Sequence, residues 1–130
     1  MYGYSKTAEL SFDDAVARVR DELGKEGFGI LTEIDVTATL KKKLDVNFRR
    51  YRILGACNPP YAYRALKAEP RIGTMLPCNV IVQELDNGEV EVAAVDPLSS
   101  MQSIQNQELG EIAVEIQEKL KKVIGQLPAV

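Results

Sequence analysis

The chain has 130 residues, 45% hydrophobic and 27% charged, with 9 Gly and 6 Pro, a size and mixture that describe one soluble domain over residues 1–130, able to bury roughly two-thirds of its unfolded surface. It contains no histidine, which removes Ser-His and Cys-His nucleophile pairs, imidazole acid/base catalysis and every His-ligated metal site. Lys plus Arg number 16 against 19 Asp plus Glu, a net charge of -3 that does not describe a general polyanion binder.

Residues 2–6 read as a short strand, and a helix starts behind Ser11, with Asp14 at the spacing of a capping box. Phe12, Ala15, Val16, Val19 and Leu23 recur at helical steps and form one apolar stripe, which Gly24 and Gly27 can end. Phe28, Ile30, Ile34 and Val36 alternate over a half-buried strand at 28–36. Thr37 offers a cap for a short helix carrying Leu40, Leu44 and three lysines, and residues 48–56 read as the next strand.

Asn58 before Pro59 is the pattern of an N-cap with proline at the first helical position, so 61–68 is expected to be helical. Residues 78–84 and 89–95 flank Asp86-Asn87-Gly88, whose Asn-Gly pair supplies the positive backbone angles of a tight hairpin. Residues 98–105 read as loop. Asn106 then caps a last helix in which Leu109, Ile112, Ala113, Ile116, Leu120 and Val123 keep helical spacing. Strands that do not alternate regularly with helices indicate an α+β fold. The expected order is strand, helix, four strands and helix, as an antiparallel sheet with its two main helices on one face and small helices between strands. The other face is then polar, paired with a second subunit, or used to hold a ligand.

Residues 1–7 show no signal-peptide pattern, and no run approaches the roughly 18 apolar residues of a membrane span, so a cytoplasmic protein with no membrane partner is expected. Two cysteines are too few for a disulfide framework. Cys57 ends one strand and Cys78 starts another, which an antiparallel meander can bring together. Cys57 also precedes a helix N-terminus, whose dipole and free N-H groups favour a thiolate. A thiol redox or soft-metal site at Cys57 and Cys78 is one reading, and two core-filling thiols are the other.

Lys41, Lys42, Lys43, Arg49, Arg50 and Arg52, interleaved with Phe48 and Tyr51, have the composition of a nucleic-acid patch. A solvated face of an acidic protein explains them as well and is the preferred reading, so no nucleic-acid partner is expected. From Gln83 to Glu118 there are nine acidic residues and no Lys or Arg, and such opposed charges can pair across a two-fold axis in a homodimer. Asp96-Pro97 with Ser99 and Ser100 reads as a turn. No acid/base pair is assigned, and catalytic residues, cofactor and any enzymatic activity are left open.

The segments Ile53-Leu54-Gly55-Ala56-Cys57-Asn58-Pro59, Ala65-Leu66, residues 73–79 (G-T-M-L-P-C-N) and Asp96-Pro97 together resemble a bacterial and archaeal family described as a domain of unknown function, number three hundred and two. The resemblance implies an architecture like that of the TATA-binding protein, and homodimers, but no reaction. The residues themselves point to a dimeric small-ligand-binding or regulatory module with a pocket bordered by Cys57, Asn58, Pro77, Cys78 and Asn79. The alternative is a thiol redox or soft-metal protein acting through Cys57 and Cys78.

Overall fold

A computed structural model describes residues 3–130. Tyr2, the first residue of the expected opening strand, lies outside the described residues; the strand itself, β1, is Gly3–Ala8. Helix α1, Phe12–Lys25, opens where Ser11 Oγ accepts the Asp14 N-H at 3.2 Å, and Gly27 turns the chain after it at φ 86°. Strand β2, Gly29–Asp35, leads into α2, Val36–Leu44. Its cap is Asp35, which accepts the Ala38 N-H at 2.9 Å, and not Thr37. Thr37 Oγ instead donates to Arg49 O at 2.7 Å and accepts from Tyr51 N at 3.0 Å, pinning α2 to the next strand.

Strand β3, Tyr51–Cys57, is followed by α3, Pro59–Ala68, and by a short 3-10 turn, Ile72–Met75. Strands β4, Cys78–Glu84, and β5, Val90–Val95, form the hairpin. Of its loop residues only Gly88 takes a positive φ, 86°. The closing bond, Leu85 N-H to Glu89 O at 2.8 Å, makes this a three-residue loop with glycine at the left-handed position, not a two-residue Asn-Gly turn. The stretch read as loop after β5 begins with a helical turn, α4, Pro97–Ser100. Helix α5, Gln107–Gly125, starts at Asn106, whose side chain accepts the Leu109 N-H at 3.1 Å and donates to Ala68 O at 2.9 Å.

The five strands lie in the order β1-β5-β4-β3-β2, every neighbouring pair antiparallel. The α+β order expected from sequence is the one observed, with α2 and α3 as the small helices between strands. β1 and β2 sit at opposite edges, and α1 crosses between them. The stripes of α1 and α5 meet one sheet face made of Leu54, Ala56, Cys78, Val80, Val82, Val92 and Ala94, and these residues form a single buried cluster. Burial of each large side chain contributes about 1.5–3 kcal/mol. Lys6 reaches from β1 to the C-terminal end of α5 and donates to Leu127 O at 2.6 Å and Gly125 O at 3.2 Å. A cation there answers carbonyls that the helix leaves unpaired.

Candidate functional site

The distinctive segments of the sequence converge where β3 ends and β4 begins. Ala56 lies opposite Cys78, and Gly55 opposite Asn79. Directly opposed residues share a face, and successive residues alternate. Ala56 and Cys78 therefore face the helices, while Gly55, Cys57 and Asn79 face away from them. Strand geometry puts the Cα atoms of Cys57 and Cys78 roughly 6 Å apart, within reach of a bridge, but the alternation turns the two side chains to opposite sides. A bridge between such residues needs backbone movement. Both cysteines are free, Cys78 buried and Cys57 half-buried. Among the described residues no three His, Cys, Asp or Glu side chains gather as a metal site.

Burial pushes the Cys78 thiol up from the ordinary 9.0 to about 11, and Cys57 nearby adds to the effect. In the native protein at pH 8, iodoacetamide is expected to label Cys57 alone, with Cys78 labelled only after unfolding, as peptide mass spectrometry would show. Folded Cys78 keeps its proton where the unfolded chain has lost it. Its contribution to stability is thus whole below about pH 9 and is lost as pH rises toward 11.

Asn58 is buried and stands at the N-cap position of α3, with Pro59 first in the helix as expected, but its side chain accepts no capping hydrogen bond. Its Nδ2 donates to Glu26 O at 3.0 Å, and it lies so near Gly27 that a Cβ there would stand 3.2 Å from Nδ2. The residue ties the corner after β3 to the turn between α1 and β2. Pro77, joined to Leu76 by a cis bond, lies over Gly55, where an added Cβ would meet Pro77 Cγ at 2.8 Å and the Thr32 hydroxyl nearer still. Of the five residues expected to border a pocket, Cys57, Pro77 and Asn79 are thus on the face away from the helices. Cys78 belongs to the core, and Asn58 to a turn.

That face carries ordered rows of side chains. Ser5, Ala93, Ile81, Ile53 and Ile34 follow one another across all five strands. Beside them run Thr7, Glu91, Gln83 and Tyr51. Arg49 Nε donates to Gln83 Oε1 and Gln83 Nε2 to Glu91 Oε1, both at 2.9 Å. Of these rows, Ser5, Ala93, Ile81, Glu91, Gln83 and Tyr51 line a shallow groove of about 600 Å3 that also takes in Gly3, Asn79 and Val95. Sequence periodicity gave each strand its outward residues, but the row appears only when the register is known.

The basic stretch is largely answered within the chain. Lys41 pairs with Asp45 at 2.7 Å, Arg50 with Asp13 at 2.6 Å, and Arg52 with Glu33 and Asp35. The Arg50 guanidinium also lies 4.3 Å from the centre of the Phe12 ring. With Arg49 held by Gln83, four of the six positive side chains are engaged, which weakens the case for charge pairing between subunits. A second polar cluster escaped the sequence reading. Tyr4 and Gln117, from β1 and α5, both bond the buried Asp96. Nothing local in the sequence marks residues so far apart as partners.

A family profile described as "Domain of unknown function DUF302" matches residues 4–127. The fold is similar to that of an uncharacterized conserved DUF302 protein from Bacillus stearothermophilus, known from a crystal structure, with a TM-score of 0.91 and 27% sequence identity over 98% of each chain. No curated protein matches the sequence. Among the described residues no helix is long and apolar enough to cross a membrane. The profile spans β1 to the residues after α5, including the β3–β4 junction and Asp96-Pro97, and the chain belongs to the DUF302 family.

Proposed function

We propose that the protein is a cytoplasmic, homodimeric binding module in which two copies meet through their open sheet faces and hold a small ligand in the groove between them. The observation that supports this reading is the apolar row Ala93, Ile81, Ile53 and Ile34, which crosses the face that no helix covers and leaves Ile34 46% exposed. Five strands about 4.8 Å apart and about 20 Å long offer roughly 500 Å2 per copy. Two such faces reach about 1,000 Å2, the lower bound of a specific interface, which suits a reversible dimer. Asn79, Gln83 and Glu91 would give the enclosed groove its polar contacts, and Ile81 and Ala93 its apolar floor. Two free cysteines suit a reducing compartment.

Sedimentation at micromolar protein is expected to give twice the chain mass of 14.4 kDa. The exchange Ile81→Asp is expected to give monomers with an unchanged circular dichroism spectrum. Raised salt should leave the wild-type dimer intact, because burial of an apolar row is not screened as exposed ion pairs are. Native mass spectrometry reads the ligand as mass beyond two chains, and Asn79→Ala is expected to remove it. A wild-type monomer at every concentration would refute the proposal.

A further inference from the structure

The half-open cavity bordered by β1, α4 and α5, on the side of the sheet away from the groove, has a volume of about 560 Å3 and includes Tyr4, Asp96, Ser99, Met101, Gln102 and Ala113 in its wall. Asp96 is only 7% exposed. Its Oδ1 accepts the Leu98 N-H at 3.0 Å and Gln117 Nε2 at 3.1 Å, and its Oδ2 accepts the Tyr4 hydroxyl at 3.2 Å. Gln117 Nε2 also donates to the Tyr4 oxygen at 2.8 Å, which fixes the phenol in place. All three donors to the carboxylate are neutral. Among the described residues no Lys or Arg pairs with Asp96. The cation near the cluster, Lys121, stands over the Tyr4 ring with its Nζ 5.1 Å from the centre.

We infer that this cavity is a binding site for a small primary ammonium compound, with Asp96 as its counter-ion. A carboxylate has about four acceptor positions, and three are filled, so one on Oδ2 is left for a charged donor. Ser99 and Gln102, in the same wall, carry further oxygen acceptors. Leu98, Met101, Ile104 and Ala113 supply apolar wall for a short carbon chain. A divalent metal fits less well, since calcium takes six to eight oxygens and Asp96 is the single carboxylate in the lining. The same cluster also joins β1, α4 and α5, so a purely structural role for Asp96 is the reading to be distinguished.

Titration with n-butylammonium chloride, with 1-butanol and sodium chloride as isosteric and ionic controls, separates the two. A saturable rise in melting temperature is expected with the ammonium salt and not with either control. Asp96→Asn keeps a side chain suited to the cap and removes the charge. It is expected to fold and to bind the amine about tenfold or more weakly. Amide shifts in the nuclear magnetic resonance spectrum of the unaltered protein give a readout that needs no variant, with Leu98, Ser99 and Gly110 expected to move and Ile81 and Ala93 to stay. Absence of a saturable response, an equal response to butanol, undiminished binding by Asp96→Asn, or shifts confined to the open sheet face would overturn the inference.

Discussion

Replacing Leu54 with alanine is expected to lower the melting temperature by about 10 °C. Leu54 is fully buried on β3, opposite Val80 of the central strand, and shares one cluster with Val19 and Leu23 of α1. Truncating such a side chain removes its transfer free energy and leaves a void between sheet and helix, at a cost of about 3 kcal/mol within a range of 2–5. A domain of this length unfolds with an entropy near 0.27 kcal/mol per degree, which sets the size of the shift. Leu44→Ala serves as the contrast, because that side chain is 65% exposed and its loss should stay within about 0.5 kcal/mol. Urea unfolding followed by circular dichroism measures both. A Leu54 variant within 1 kcal/mol of wild type would mean that the sheet and α1 are not packed as described.

Gly55→Ala is expected to destabilise by about 1–3 kcal/mol, although alanine in place of a strand glycine ordinarily helps. The sign follows from the space above the residue. A Cβ there meets the Thr32 hydroxyl and stands 2.8 Å from Pro77 Cγ. The threonine is exposed on the edge strand and can turn aside, whereas the proline ring is confined. In a Thr32→Ala background part of the cost should therefore disappear, and the coupling in the double-mutant cycle reports the contact. Equal costs in both backgrounds would assign the whole penalty to Pro77. A stabilising Gly55→Ala would refute the close approach of these three residues.

Much of the architecture was legible because it rests on local chemistry. Ser11 and Asn106 cap helices, Gly27 and Gly88 supply left-handed turns, and the apolar steps of α1 and α5 identify their buried sides. Local reasoning went astray where a side chain had two possible partners. Asn58 does take the N-cap position before a proline-led helix, yet its side chain makes no capping bond and its Nδ2 donates to Glu26 O across the turn. Asp35 stands one turn before Ala38 and took the cap assigned to Thr37. Asp96 and Pro97 began a helical turn inside what read as loop. The candidate site was legible as a neighbourhood but not as a surface. Cys57 and Cys78 do lie at adjoining strand ends, but only the pairing of Ala56 with Cys78 shows that the thiols part company across the sheet. The Asp96 cluster was beyond reach for a related reason, since Tyr4 and Asp96 are separated by 92 positions.

The crossing of α1 between the two sheet edges sets the order in which the molecule can assemble. β2 to β5 each pair with a sequence neighbour, but β1 has no partner until β5 exists. At about 5–20 residues per second on the ribosome, a wait of 92 positions leaves the first strand unpaired for roughly 5–20 s. The apolar stripe of α1 waits less long, since β3 and β4, which carry Leu54, Val80 and Val82 of its cluster, pair before β5 is made. Of the five strands β1 is the earliest in sequence and the last to be paired, so it needs shielding while the chain is being made, and changes that make residues 3–25 more adhesive should lower the yield of folded protein more than they lower its equilibrium stability.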